Sequence, residues 1–156
     1  MRAAALVAVV AVAMLGIACD DSVTNPTRIG VGGSGTSTGL NLTGTWTGTA
    51  GDSSGQLLMT WQLTQSVNTV TGTVTATTTV GAPLYAGGSL TGTASASALS
   101  FTITIPRGGI APLPECSATF TGSVADITST GMTGTYSGTD SCGSTYVNGR
   151  FTLIKQ

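Results

Sequence analysis

Residues 42–46 read Leu-Thr-Gly-Thr-Trp, and closely similar phrases recur along the chain. Each copy has an apolar residue, then Thr-Gly-Thr or Thr-Gly-Ser, then a second apolar residue; the later copies are residues 70–74, 90–94, 120–124 and 132–136. Successive side chains of an extended strand point to opposite faces, so the apolar residues and the glycine share one face while the hydroxyl residues line the other. The phrase therefore predicts antiparallel strands with one buried face.

Turn signals recur at short intervals from Leu42 onward, and no stretch has a helical period. They separate strand candidates at residues 42–50, 56–65, 69–79, 88–94, 98–105, 116–124, 131–138 and 145–154. Eight short strands joined mostly by short turns predict an all-β domain, either an eight-stranded antiparallel up-and-down barrel or a two-sheet β-sandwich.

The alternation also predicts which side chains face inward. They are apolar residues or glycine: Leu42, Gly44, Trp46, Gly48, Leu57, Met59, Trp61, Leu63, Val70, Gly72, Val74, Ala76, Leu90, Gly92, Leu99, Phe101, Ile103, Ile105, Ala118, Phe120, Gly122, Val124, Met132, Gly134, Tyr136, Val147, Phe151 and Leu153. The outward positions are chiefly threonine. A transmembrane barrel needs the opposite arrangement, so we expect the barrel to be soluble.

The N-terminus has the pattern of an export signal. Met1 and Arg2 precede an uncharged run rich in Ala and Val, residues 3–19, which two aspartates follow. This pattern predicts a signal peptide over residues 1–18. A retained transmembrane helix is the alternative, but alanine makes the run weakly hydrophobic.

Residues 15–19, Leu-Gly-Ile-Ala-Cys, resemble the lipobox of bacterial lipoproteins, although the Leu stands one place early. The resemblance implies that Cys19 becomes the lipidated first residue; cleavage by an ordinary signal peptidase, which also accepts Gly16 and Ala18, would instead give a secreted protein. The other cysteines are Cys116 and Cys142. An unpaired thiol can form unwanted intermolecular disulfides in an oxidising compartment. We therefore expect Cys19 to be lipidated and the other two cysteines to form a disulfide.

Beyond the signal, residues 19–40 read as a flexible linker and residues 41–156 as the β-barrel domain. Without residues 1–18 the chain has four basic and six acidic residues. No basic patch meets nucleic acid or anionic lipid, so the only predicted membrane contact is the N-terminal lipid. We expect a monomer in the bacterial cell envelope, on the periplasmic or surface side.

The chain has few residues of the types that serve as catalytic bases. The chain contains no His, and its one lysine, Lys155, stands next to the C-terminal residue, so no Ser or Thr has an evident base. The carboxylates are scattered in loops, with Glu115 and Asp140 the one pair that the disulfide could bring together for a calcium ion. We predict no enzymatic activity, no catalytic residue, no cofactor and no metal.

The long, apolar loops of an up-and-down barrel gather at one rim here. They are residues 51–55, 80–86, 106–114 and 139–144. The candidate contact residues are five from this rim and three from the interior: Leu84, Tyr85, Arg107, Ile110, Leu113, Trp61, Phe101 and Tyr136. The alternative is that the prolines of these loops stiffen them into a lid.

The sequence Gly44-Thr45-Trp46 on the first strand, with Arg150 on the last, resembles the lipocalin and wider calycin group. The resemblance implies that Trp46 plugs the closed end of the barrel, that a basic residue packs over its indole, and that the longer loops surround the open mouth. Phe151 is predicted to face inward, which turns Arg150 outward unless a bulge intervenes.

These features predict an exported binding protein that captures a small apolar ligand in the barrel lumen. The alternatives are a protein-recognition or inhibitor module acting through the rim loops, and a purely structural envelope lipoprotein. The inward glycines leave room for a ligand, or they serve strand coiling and the aromatic rings of neighbouring strands. Eight strands enclose an interior barely wide enough for side chains, so both interpretations stay open.

Overall fold

A computed structural model describes residues 40–156. The predicted signal peptide and Cys19 lie outside these residues, as does the predicted linker apart from residue 40, and they remain predictions. In the described part of the chain, no helix has the length and hydropathy that crossing a lipid bilayer requires.

The domain is a closed barrel of eight antiparallel strands in sequence order. The strands are β1 (Gly44–Asp52), β2 (Gly55–Ser66), β3 (Thr69–Thr78), β4 (Pro83–Ala94), β5 (Leu99–Ile105), β6 (Ala118–Ile127), β7 (Gly131–Asp140) and β8 (Thr145–Lys155). Closure comes from pairing of β1 with β8, which leaves no free sheet edge. The predicted up-and-down barrel is confirmed, and the sandwich alternative is wrong.

β4 and β6 extend furthest beyond their predicted ends, because bulges carry them past the apparent turn signals. β4 begins at Pro83 rather than at residue 88; it pairs with β3 through register shifts around Ala76. β6 continues to Ile127 past a shift between Val124 and Asp126. A bulge adds one residue to a strand and so breaks the two-residue alternation on which the prediction depends.

The predicted inward position of Val147 is wrong: its side chain is 48% exposed. β8 carries an extra residue here, since Gly149 pairs with Tyr136 while Tyr146 pairs with Gly138. Asn148, within this bulge, has a φ of 56°. The bulge places Tyr146, which is partly buried against the core, where Val147 was expected.

The inward glycines make room for large side chains of the neighbouring strands. Gly122 lies directly opposite Phe101, and Gly134 directly opposite Phe151. A Cβ built on Gly134 would lie 2.5 Å from Cζ of Phe151. The rings therefore occupy the volume that a side chain would have taken, and these glycines do not leave open space for a ligand.

Candidate binding site

The closed end of the barrel is capped by Trp46. Its side chain is 0% exposed, and its indole Nε1 donates a hydrogen bond to the carbonyl oxygen of Leu42 at 2.8 Å. Lys155 Nζ lies 5.5 Å from the centre of the indole ring and donates to the carbonyl oxygen of Asn41 at 2.9 Å. A cation over an indole face contributes about 0.5–2 kcal/mol, depending on its exposure.

The prediction that Arg150 packs over Trp46 is wrong. Arg150 is exposed and pairs with Gly51 on one side and Thr135 on the other. Phe151 and Gly149 both belong to the inward set of β8, so the residue between them points outward. Lys155 has the same parity as Phe151, and the alternation could have identified it as the basic residue of the plug.

Above this plug, three aromatic rings from different strands meet in the lumen: Trp61 of β2, Phe101 of β5 and Phe151 of β8. The Trp61 ring centre lies 5.1 Å from each phenylalanine ring, and the two phenylalanines are 5.7 Å apart. The interplanar angles of 46–70° are typical of tilted and edge-to-face contacts. We call this group the inner aromatic cluster.

A second group, the mouth cluster, surrounds Phe120 of β6. Its ring centre lies 5.7 Å from Tyr85, 6.0 Å from Tyr136 and 5.3 Å from Tyr146. The three tyrosines come from β4, β7 and β8. They bring phenolic oxygens, with apolar rings beneath them, to the end of the lumen from which the longer loops extend.

The inner aromatic cluster and three residues of the mouth cluster line one cavity of about 20 Å³. The lining residues are Asp52, Leu57, Met59, Trp61, Val74, Tyr85, Phe101, Ile103, Ile105, Phe120, Tyr136 and Phe151. This volume has room for about one water molecule. The lumen is thus nearly filled by side chains in this conformation, and a larger occupant would have to displace some of them.

Asp52, at the end of β1, supplies the one charged group of the cavity wall. Its Oδ2 accepts a hydrogen bond from Tyr136 Oη at 2.9 Å, and its Oδ1 accepts one from the backbone N–H of Ser54 at 2.7 Å. Burial, with this hydrogen bond and the negative charge of Asp52, raises the pKa of Tyr136 well above its ordinary value. Tyr136 is therefore a neutral donor at physiological pH, and it holds one carboxylate oxygen toward the lumen.

Asp140, at the end of β7, organises the opposite part of the mouth. Its Oδ1 accepts from the backbone N–H groups of Cys142 and Ser144, each at 2.9 Å, and its Oδ2 accepts from Tyr146 Oη at 3.0 Å. The hydrogen bond from Ser144 is the main reason why the pKa of Asp140 lies below its ordinary value. Burial raises the pKa of Tyr85, and the adjacent Tyr146 raises it further.

Trp61 contrasts with Trp46 in its hydrogen bonding. Both side chains are 0% exposed. The indole Nε1 of Trp61 has no hydrogen-bond partner among residues 40–156, and it is the single buried side-chain nitrogen or oxygen there in this condition. An unpaired buried donor costs about 1–3 kcal/mol, so the inner cluster carries a polar group that the protein leaves unsatisfied.

The loop between β5 and β6 folds back over the barrel as a lid. The backbone N–H of Ala86 donates to Gly109 at 2.9 Å, and that of Ala111 donates to Leu84 at 3.0 Å. Tyr85 and Ile110, joined by an isolated bridge, are only 9% and 6% exposed. The lid interpretation therefore describes these two residues better than an exposed contact surface does.

The remaining predicted rim residues are more accessible. Leu113 is 40% exposed, Arg107 is exposed and Leu84 is partly buried against the core. Residues 83–86 and 108–112, together with Pro114, line a groove of about 320 Å³ on the outside of the lid. The eight predicted contact residues are thus divided: Trp61, Phe101, Tyr85 and Tyr136 line the lumen cavity, Leu84 and Ile110 line the groove with Tyr85, and Arg107 and Leu113 line neither.

The predicted disulfide between Cys116 and Cys142 is confirmed, with a Cα–Cα distance of 5.7 Å. It joins the lid to the turn between β7 and β8. The carboxylate of Glu115 lies close to both sulfur atoms, but sulfurs bonded to each other offer no thiolate to a metal ion. Asp140 takes no part in this group and caps its own turn instead, so the structure does not bring Glu115 and Asp140 together as a cation site.

Asp52 and Asp140 belong to predicted rim loops, but neither they nor Tyr146 were predicted as contact residues of the mouth. Asp140 begins Asp-Ser-Cys-Gly-Ser, a composition typical of a turn held by an aspartate side chain, and that signal could have identified it. Tyr146 was hidden by the bulge at Asn148. Asp52 could be placed only once the barrel closed and brought β7 across from the end of β1.

No protein-family model and no curated protein matches the chain. Solved structures do resemble it. The redesigned β-barrel mFAP1 bound to DFHBI is 21% identical over 74% of this chain and 94% of that one, with a TM-score of 0.50. EF1p2_mFAP2b bound to DFHBI is 20% identical over 74% and 94%, with a TM-score of 0.57, and the redesigned barrel b11L5F_LGL is 23% identical over 74% and 91%, with a TM-score of 0.53. At this identity the likeness shows the fold, a small lipocalin-like barrel.

Proposed function

We propose that this chain is an exported, lipid-anchored binding protein without enzymatic activity, which holds a small, mainly apolar molecule at the mouth end of its barrel. One observation carries the proposal. At the closed end the buried tryptophan is hydrogen-bonded and capped by Lys155, whereas the Trp61 that borders the remaining cavity has an unpaired N–H. A domain built only for stability has no reason to leave a buried donor unpaired beside an internal cavity.

Binding requires the mouth to rearrange, because a cavity of about 20 Å³ cannot hold an organic molecule. Tyr85 is the natural gate. It lies in the cavity wall beneath the lid, and the backbone hydrogen bonds of Ala86 and Ala111 hold the lid on β4. Release of these two bonds would lift Ile110 off Tyr85, whose backbone stays paired with Ala76 in β4. The Tyr85 side chain could then turn outward and enlarge the cavity without disturbing the barrel strands.

The fold neighbours give the proposal an independent basis. Two of these barrels, mFAP1 and EF1p2_mFAP2b, are bound to the small molecule DFHBI. Within residues 40–156 the lysine lies at the closed end, and the raised pKa values of Tyr85 and Tyr136 keep these tyrosines protonated at neutral pH, so they are not available as bases. The site thus offers binding groups rather than a nucleophile with its base.

Export and anchoring rest on the N-terminal pattern and on the disulfide. A Cys116–Cys142 bond is compatible with an oxidising, extracytoplasmic compartment. Export is supported by the signal-like pattern of residues 1–18, and lipid anchoring by the lipobox-like pattern of residues 15–19. A single lipid on Cys19 would leave the barrel outside the bilayer.

Recognition of a protein through the rim is the second candidate. The groove of about 320 Å³ outside the lid and the exposed Leu113 favour it. It is weaker because Tyr85 and Ile110, the large apolar residues expected to anchor a partner, are buried in the lid contact. Apolar anchors contribute to an interface only when they can enter the partner's surface.

A fluorescence titration with DFHBI tests the proposal. Trp46→Phe leaves Trp61 as the single tryptophan of the chain, and Trp61→Phe leaves Trp46. We expect DFHBI to change the emission of Trp61 saturably and that of Trp46 less, because Trp61 lines the cavity whereas Trp46, its directly opposed partner on β1, does not. Native mass spectrometry of protein purified from its own host, after organic extraction, should reveal a retained small molecule. The absence of both a DFHBI response and an extractable ligand would overturn the proposal.

A further inference from the structure

The N–H of Trp61 has a consequence for the chemistry of the ligand. Trp61 is fully buried, so bulk water cannot reach its Nε1, and no acceptor within residues 40–156 bonds to it. The neighbours that pack on its ring are Phe101 and Phe151, which offer no oxygen or nitrogen acceptor on their side chains. The two rings that contact Trp61 therefore cannot satisfy its donor.

The adjoining cavity is where an acceptor can be placed. Its wall is apolar except for Asp52 and the hydroxyls of Tyr85 and Tyr136. Of these, Tyr136 and Asp52 are already hydrogen-bonded to each other. A single water on Trp61 needs two or more polar partners to be well held, and the wall has few to spare.

We infer that the ligand carries a hydrogen-bond acceptor, a carbonyl or ether oxygen on an otherwise apolar body, and that Trp61 Nε1–H donates to it. This inference rests on the proposed function. The inner aromatic cluster takes the apolar body, and the N–H selects for the oxygen. Discrimination comes from the cost of leaving the donor unpaired when the occupant has no acceptor.

Two compounds of nearly equal shape isolate this contact: acetophenone, which has a carbonyl, and cumene, in which a CH bearing a methyl group replaces it. Displacement of the lid costs the same for both, so their affinity ratio reports the polar contact. In the full-length protein we expect the ratio of acetophenone to cumene affinity to be about five- to tenfold higher than in Trp61→Phe, which keeps an aromatic ring but lacks the donor. Trp46→Phe, which makes the same change in the residue directly opposite Trp61 but keeps the Trp61 donor, is the matched control and should keep a ratio near the native one.

Indole ¹⁵N NMR gives a second readout that a loss of packing would not produce. We expect the Trp61 Nε1–H proton to shift downfield with acetophenone and to move much less with cumene, while the Trp46 proton, already bonded to Leu42, responds alike to both compounds. Binding of both compounds with an unchanged ratio and an unmoved Trp61 proton would overturn the inference and leave the proposed function intact. A water signal on the Trp61 N–H that persists with acetophenone bound would also overturn it. Failure of both compounds and of DFHBI to bind would overturn the two together.

Discussion

Three inward glycines each lie opposite an aromatic ring of the neighbouring strand. Gly134 and Phe151, Gly122 and Phe101, and Gly149 and Tyr136 are directly opposed pairs. The ring lies over the glycine and covers backbone that would otherwise face a void. The glycine repeat was compatible with an empty lumen, but in the structure these glycines make room for aromatic rings that fill it.

Gly134→Ala tests this pairing. The new methyl group would overlap both the ring of Phe151 and the backbone carbonyl oxygen of Ser123, and overpacking of this kind costs about 1–3 kcal/mol of the free energy of unfolding. Gly131→Ala, on the same strand, is the control, because its Cβ would meet nothing nearer than Thr128 Oγ1 at 3.5 Å. Urea denaturation followed by tryptophan fluorescence should separate the two variants. Equal stability of both would show that the ring has room to move.

At the level of strands and loops, bulges and the lid decide where the mouth residues lie. The bulge at Asn148 turns Tyr146 inward, and the shifts around Ala76 allow β4 to start early enough to present Tyr85. The lid then lies on β4 through two backbone hydrogen bonds and is attached to the β7–β8 turn by the disulfide. The mouth is built from irregular pieces on a regular barrel.

Replacement of Cys116 and Cys142 together by alanine should destabilise the domain by about 2–4 kcal/mol, since the bond closes a long loop. We further expect faster hydrogen exchange of the Ala86 and Ala111 amides than of amides at the closed end. The measurements are thermal unfolding and native-state hydrogen exchange. A reducing agent should reproduce the effect in the wild-type protein and leave the double variant unchanged; a response of the variant to reductant would point to a different cause.

For the whole molecule, closure of the barrel separates three regions with different chemistry. The outer wall carries mostly threonine hydroxyls, the lumen carries the aromatic clusters, and one end carries the irregular loops. A closed sheet has no edge at which a second chain could add a strand. Contacts of the described domain are therefore left to its lumen, its loops and its hydroxyl-lined wall.

Cellular localisation is also a property of the whole molecule. Cys19→Ser should release the protein from the membrane fraction of its host into the soluble extracytoplasmic fraction, because a lipidated Cys19 is the only membrane contact that we propose. Fractionation with immunoblotting checks it, and the Cys116→Ala/Cys142→Ala protein serves as a control that should remain bound. Persistent membrane attachment of Cys19→Ser would contradict the lipoprotein proposal.

The strand count, the barrel and most inward residues follow from local pattern, because two-residue alternation and turn composition are written in neighbouring residues of the chain. The disulfide follows from the parity of the cysteines together with the side of the barrel on which each loop emerges. Bulge positions do not follow, since one extra residue changes all later parity and leaves little trace in composition; Val147 was misplaced for this reason.

The contacts between distant strands required the folded barrel. Tyr136 and Asp52 are 84 residues apart in sequence and share a hydrogen bond. Three questions depended on how side chains from different strands fill one lumen. They are whether the glycines leave space, whether the rim loops fold back, and which tryptophan lacks an acceptor. Packing of that kind is a property of the assembled volume, and no single stretch of the chain encodes it.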